Sequence, residues 1–470
     1  MDTLGAITWF ALGAWLLLSG YWWLGIRRMP QLRARPGPAP AEGWPRLSLI
    51  VAARDEAATI GPALRTWLRQ DYPGLEIVVV DDRSVDGTAA AVQAVLDGYG
   101  VSMGEGAYEA PSTAAESRPG AAESRPGADE ARPGADEARL GADEARLGAD
   151  EAPSVWTVRL EALPDGWLGK THAQAHGARL ATGAWLLFLD ADVRLAPNAL
   201  RAAITAALRE RVDHLALLPR FDAPGPAWRA HPVLAFETAF TLLLTLLLRP
   251  WLAPDPGAST TLGIGAFGLY RRDAYERAGG HDSVRLRPDD DLALAHSVKA
   301  AGGRSLVVFA PGLAVVTWYE TLGQAVQGLE KNAFAGLGFS LVRVTLVSAG
   351  LLATHVLPFA MVVLAGGADR AAAVGVVLVV TAVYAWYGRR VGQPAWYALL
   401  HGVSVLALVF ALWRSTAAAL VTGRIDWRGT SYAVPELQAA QRARPRARSR
   451  AQRGQRGQRN VGQSRNSPRT

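Results

Sequence analysis

The chain reads as an α/β protein built on a mostly parallel sheet, with an N-terminal anchor helix before it and C-terminal transmembrane helices after it. Three observations lead there. Apolar runs of strand length, "LSLIVAA" from Leu47, "LEIVVVDD", "VWTVRL" and "WLLFLDAD", alternate with helical stretches such as Ile60 to Gln70. Strands separated by helices pair in parallel and are covered on both faces, which explains runs that are apolar throughout rather than alternating. Finally, uncharged runs long enough to cross a bilayer flank this region on both sides.

Taken in order, residues 4–26, "LGAITWFALGAWLLLSGYWWLGI", carry no charge and read as an uncleaved membrane anchor, longer than a signal-peptide core. Asp2 precedes it and Arg27, Arg28, Arg33 and Arg35 follow, so the bias of basic residues predicts a cytoplasmic domain on an inner cell membrane. Residues 27–46 form a Pro-rich linker, and the α/β domain is expected over 47–340. Within it, 102–153 holds heptads such as "AAESRPG" and "ADEARLG", without an apolar seam and with Gly in each unit; this predicts a disordered surface insertion rather than a coiled coil. The stretch 233–253 is nearly as apolar as a span but carries Glu237 and Arg249. A crossing there would put the chemistry before it and after it on opposite sides, so an interfacial helix is predicted.

Apolar segments near 344–366, 371–387 and 396–420 predict transmembrane helices over 341–420, and 421–470 a basic disordered tail. Three crossings after a cytoplasmic domain would leave that Arg-rich tail outside, against the same charge rule; either one segment does not cross, or the tail is exported despite its charge. Much of the net charge of +7 sits in this acid-free tail, and no nucleic-acid module accompanies it, so no specific nucleic-acid partner is expected. The absence of cysteine excludes disulfides, thiolate metal sites and a Cys nucleophile.

Three of the strand runs end in acids: "ARDE" at 53–56, "DDRSVD" at 81–86 and "DAD" at 190–192. In a parallel sheet, ligands bind beyond these carboxyl ends. Asp190 and Asp192 stand where a strand gives way to a turn. They are either turn-capping residues or the pair that holds one hard cation with room left for diphosphate oxygens.

These blocks together resemble glycosyltransferase family 2, inverting nucleotide-sugar transferases of the A-type fold. The resemblance rests on "LSLIVAARDEAATIGPALRTWLRQDYPGLEIVVVDDRSVDGT", on "LPDGWLGKTHAQAHGARLATGAWLLFLDAD" and on "RPDDDLALAHSVKAAGG". It implies that Glu56, Asp81 and Asp82 contact the nucleotide, and that Asp190 and Asp192 form a DxD motif for Mg²⁺ or Mn²⁺, with Asp192 the direct ligand. It further implies that Lys170 meets the leaving diphosphate, and that Asp291, preceded by Asp290, is the catalytic base. Read as residues alone, Lys170 can also be an ordinary surface lysine, the triple Asp289 to Asp291 is an acidic helix start as well, and His281 reads as a packed histidine. His172 and His176 have zinc-compatible spacing without a third ligand and read as structural.

The Gln-x-x-Arg-Trp motif of processive synthases is missing from "WYETLGQAVQGLEKNAFAG", which points to single transfer. That segment is similar to membrane members that glycosylate lipids, the hopanoid-associated and carotenoid types among them, and the layout resembles ceramide glucosyltransferase. The expectation is therefore transfer of a hexose from a nucleotide-diphospho-sugar to a hydroxyl of a membrane lipid. A polyprenyl-phosphate acceptor, polysaccharide synthesis and a catalytically silent membrane scaffold are the alternatives. A transporter is disfavoured because the apolar segments carry almost no ionisable groups.

Overall fold

The computed structural model describes residues 3–33, 40–101, 153–330, 333–427 and 430–442. The expected heptad insertion, apart from its end residue, and the tail from 443 onward lie outside these.

The chain opens with α1 (Thr3–Ile26) and then alternates: β1 (Leu47–Ala53), α2 (Ile60–Leu68), β2 (Leu75–Asp82), α3 (Thr88–Tyr99), β3 (Ser154–Leu160), α4 (Gly169–Leu180) and β4 (Trp185–Asp190). Next come β5 (Arg194–Leu195), α5 (Ala199–Arg209), β6 (His214–Leu218), β7 (Arg220–Phe221), α6 (Ala227–Leu248), β8 (Gly268–Arg271), α7 (Arg272–Arg277), α8 (Asp290–Ala300), β9 (Ser305–Phe309) and β10 (Ala314–Val316). Seven strands form one sheet in the order β3-β2-β1-β4-β8-β6-β9, parallel except for β8, which runs against both neighbours. A small second sheet, β5-β10-β7, sits beside it.

The two-residue period of the strands divides the core. Leu49, Val51, Ile77 and Val79 point to the face packed by Leu64 and Trp67 of α2, while Ile50, Val78 and Val80 point to the face covered by Ala173 and Ala178 of α4. Helix α4 can lie this close only because it presents small residues: a Cβ on Gly177 would stand 2.6 Å from Cγ2 of Ile50. Every side chain named here is buried, which is why these strands read as continuous apolar runs.

After β10 the chain forms α9 (Leu322–Leu329), α10 (Ala333–Gly336), α11 (Leu341–Leu351), α12 (Leu357–Leu364), α13 (Gly367–Arg390) and α14 (His401–Thr422). Helices α11 and α12 are joined by a π-type turn, Leu352–Val356. Pro358 has no N–H to give the carbonyl of Thr354; Trp15 of α1 donates to it instead, Nε1 to O at 3.2 Å. Among the described residues, five segments are long and apolar enough to cross a membrane: Thr3–Ile26, Ala227–Leu248, Leu341–Leu364, Gly367–Arg390 and Ala395–Thr422. On α1, Phe10 and Leu17 are 73% and 78% exposed, an apolar face with no protein cover.

Two stretches differ from expectation. The start of the expected linker is part of the sheet edge: Leu32 N donates to Phe309 O at 2.8 Å and Phe309 N to Pro30 O at 2.9 Å, extending β9. The tail, expected to be disordered from 421, first folds into a hairpin of β11 (Arg424–Trp427) and β12 (Thr430–Ala433) and then α15 (Val434–Arg442). Ile425, Tyr432 and Leu437 bury themselves against Leu168, apolar contacts too sparse along the sequence to stand out beside the arginines that follow.

Candidate active site

The carboxyl ends of β1, β2 and β4 finish level with one another: Ala52 pairs with Asp190 and Ala53 with Asp81. The strand order changes direction at β1, the position where open α/β sheets leave a crevice. A cleft opens there, lined by Arg54, Glu56, Asp82, Gly169, Lys170, Asp190, Asp192, Trp318, Tyr319 and Tyr432 together with the backbone around Ala52, Ala53 and Ala191.

Strand alternation separates the acids of β2. Asp82, 2% exposed, faces the cleft and accepts from Arg83 Nε at 2.8 Å, with Arg54 Nη1 at 3.8 Å. Asp81 turns the other way, where it accepts from Ser84 N at 3.0 Å and lines a separate hollow with Thr88 and Arg159. Of the two expected to act together, only Asp82 lines this cleft, because adjacent strand residues point to opposite faces. Asp55 and Arg83, in the loops above, have φ of 55° and 61°, left-handed conformations unusual for such residues. Those loops are tied together by Asp55 N to Ser84 Oγ at 3.0 Å and Glu56 N to Thr88 Oγ1 at 2.8 Å, which holds Glu56 at the rim.

Lys170 stands in the first turn of α4, and its Nζ meets Asp190 Oδ1 at 2.5 Å. Burial works against its charge, but Asp190, Asp290 and Asp291 outweigh that and raise its pKa, so it stays a cation. Asp192, two residues on, is pushed up to about 7 by burial and by the negative charges of Asp190 and Glu56. Gly169 lets α4 approach: a Cβ there would stand 2.3 Å from Asp82 Oδ2. Across the cleft, a Cβ on Gly265 would stand 2.8 Å from Asp190 Oδ2 and 3.0 Å from Lys170 Nζ.

The start of α8 resolves the aspartate triple. Asp289 is held by Arg287, whose Nε and Nη2 donate to it at 2.8 and 2.6 Å. Asp290 is buried, 4% exposed, and Asp291 half-buried with Oδ1 accepting from Leu292 N at 2.7 Å. Burial raises both pKa values, helped by the charges of Asp190 and Asp289 at Asp290 and of Asp290 and Asp190 at Asp291, against the pull of Lys170. Neither is among the residues that line the cleft, but both lie close enough to Lys170 and Asp190 for their charges to interact.

Among the described residues no group of three or more His, Cys, Asp or Glu side chains is arranged to hold a metal ion. Two carboxylates nonetheless suit Mg²⁺ or Mn²⁺ when water and phosphate oxygens fill the other positions, and the repulsion that lifts Asp192 is what such a cation would relieve. His281 is packed, bonded to Tyr275 Oη at 2.9 Å and edge-on to Phe188. His172 and His176 are held below their usual pKa, chiefly by burial.

Sequence reasoning missed Arg54, Trp318, Tyr319 and Tyr432. Arg54 is inside the quoted "ARDE", and Trp318 and Tyr319 open "WYETLG". Trp318 stacks on Phe221 and meets Phe240 of α6, and Tyr319 N donates to Glu237 Oε1 at 3.1 Å. Tyr432, after the last apolar helix, had no sequence signal.

Two family models match the chain, "Glycosyl transferase family 2" over residues 48–103 and "Glycosyltransferase like family 2" over 142–336, together more than half of it. A curated relative, beta-monoglucosyldiacylglycerol synthase from Synechocystis sp., is 31% identical over 97 residues, 18% of this chain and 20% of that one. The chain thus matches about a fifth of that relative's length. Among solved structures, a mannosyltransferase from Pyrobaculum calidifontis in complex with GDP-Man and Mn²⁺ is 19% identical with a TM-score of 0.47, covering 86% of this chain and 99% of that one. S. aureus TarS 1–349 is 13% identical with a TM-score of 0.35, covering 82% and 95%.

Proposed function

We propose that this chain, which belongs to glycosyltransferase family 2, transfers a hexose from a nucleotide-diphospho-sugar to a hydroxyl of a membrane lipid. The observation that carries the reading is the Lys170–Asp190 pair facing Asp192 at the level strand ends, with Asp290 and Asp291 close enough for their charges to act on Lys170. A fixed cation at a helix N-terminus stabilises the charge that grows on a leaving diphosphate. Held by Asp190 and Asp192, Mg²⁺ or Mn²⁺ would add Lewis-acid stabilisation of the same oxygens. Asp82 and Glu56, at the far rim, would hold the nucleotide.

In the reaction the acceptor oxygen attacks the anomeric carbon, the bond from that carbon to the diphosphate oxygen breaks with its electron pair, and the hydroxyl proton passes to a carboxylate. Asp291 is the better base because Asp290 is sealed inside. Its raised pKa makes it a stronger proton acceptor once ionised. One base without a marked nucleophile supports direct displacement, hence inversion.

Several observations favour a lipid. Helix α6 lies against the catalytic domain, its Phe240 touching the Trp318 at the cleft, so an apolar surface leads to the site. The likeness to a protein named as a synthase of a glycolipid supports the same acceptor class. Arg27, Arg28, Arg389 and Arg390 at the catalytic ends of α1 and α13 favour a cytoplasmic catalytic side.

The test is Asp291→Asn in purified full-length protein. A hydroxyl acceptor needs its proton removed, so kcat should fall by about 10²–10⁴ with donor affinity kept. Near-normal turnover would reject the hydroxyl and favour a phosphate acceptor, which carries no such proton.

A further inference from the structure

We propose that the β11–β12 hairpin, beyond the last apolar helix, completes the donor cleft through Tyr432, and that α14 therefore begins and ends on the catalytic side of the membrane. The first half rests on the donor site proposed above; the second does not.

Tyr432 lines the cleft with Arg54, Asp82 and Lys170, is 8% exposed, and lies close enough to Arg83 to interact with its charge. Its anchorage is specific. Tyr432, Ile425 and Leu437 pack on Leu168, the residue before the Gly169–Lys170 turn, and Gln441 Nε2 donates to Ala335 O at 3.1 Å. An aromatic ring in the same cleft wall as Arg54, Asp82 and Lys170 suits a nucleotide, whose planar base stacks on such rings.

The hairpin cannot reach this cleft from across some 30 Å of hydrocarbon, so the end of α14 is on the catalytic side. So is its start: just before it, Gln393 Nε2 donates to Phe221 O at 2.6 Å, and Tyr397 Oη meets His231 Nδ1 at 2.8 Å. Between its ends α14 lies along the catalytic domain, Leu408, Ala411 and Leu412 packing with Val233 and Phe236 of α6 and with Leu329 of α9. Near its end, Arg414 Nε meets Glu330 Oε1 at 2.6 Å.

The other apolar helices leave and return. Helix α13 starts beside the outer end of α1, Trp9 Nε1 donating to Asp369 Oδ1 at 3.0 Å, and ends where Arg390 Nη2 donates to Met29 O at 3.1 Å. The chain goes out by α11–α12 and back by α13. Helix α15 then ends at Arg442 on the side of Arg27 and Arg28, as the charge rule requires.

Two experiments on the full-length protein decide the matter. With UDP and GDP each titrated in the presence of Mn²⁺, Tyr432→Ala should weaken whichever nucleotide the unsubstituted chain binds by about tenfold, Tyr432→Phe should stay within about twofold, and the lipid KM should not move. Unchanged nucleotide affinity in Tyr432→Ala would overturn the cleft role. Binding of neither nucleotide by the unsubstituted chain would sink the donor reading and that role with it. Because the chain has no cysteine, single cysteines report topology without background. In inside-out vesicles, an impermeant maleimide should label Glu436→Cys together with Glu161→Cys and not Gly366→Cys. Labelling of Glu436→Cys only when Gly366→Cys is labelled would overturn the α14 placement, whatever the nucleotide result.

Discussion

At the scale of single residues the site is a balance of charges that folding has forced together. Asp192 sits at about 7 because burial, Asp190 and Glu56 all oppose its ionisation. Its folded-state pKa is above the ordinary carboxylate value, so the stability it contributes is present at acidic pH and is lost as pH rises through about 7. Asp192→Asn should therefore raise the thermal midpoint at pH 8 by about 2–4 °C, taking the relief as about 1 kcal/mol after screening, while abolishing Mn²⁺-dependent donor binding. In the intact protein the same titration should weaken Mn²⁺-dependent nucleotide binding as pH falls below about 7. Lys170→Met should cut kcat by about 10²–10³ with a smaller change in lipid KM. Lys170, Asp82, Asp190 and Asp192 line one cleft, and each stands out in the sequence because it ends an apolar run or flanks glycine. Asp81 faces a separate hollow from Asp82, because neighbouring side chains on a strand point to opposite faces.

At the scale of elements, strands β1 to β4 and helix α2 were evident from their apolar pattern, since each buries its apolar residues in the core. Strand β8 and the sheet β5-β10-β7 were not, because strands of two to four residues leave no periodic signature. What positions the chemistry is the close docking of α4 on the sheet, and it has a single weak point. Gly169→Ala would drive a methyl toward Asp82 Oδ2, 2.3 Å away, displacing either the carboxylate or the turn that carries Lys170. The expected result is a donor KM raised about tenfold or more, equivalent to the loss of one charge-assisted contact of about 1.4 kcal/mol, with the fold retained by circular dichroism. Gly166→Ala is a weaker perturbation of the site: nothing lies within 4 Å of its Cβ, although its φ of 78° makes it a test of turn strain alone.

At the scale of the whole molecule, membrane contact is legible from hydropathy, but which segments cross is not, because hydropathy measures burial away from water and cannot tell lipid from protein. Helix α6 has spanning length and composition yet is largely covered by protein, whereas α1 shows large apolar side chains outward. The arrangement places a polar donor cleft beside an apolar surface, and the central claim is that sugar passes from one to the other. The most direct measurement offers the purified full-length protein a panel of radiolabelled nucleotide sugars with Mn²⁺ and a total membrane lipid extract, and identifies the labelled product by mass spectrometry. The account predicts one labelled lipid carrying a single hexose on a hydroxyl, lost in Asp190→Asn. Label appearing in a long polysaccharide, on a lipid phosphate, or in no product at all would contradict it.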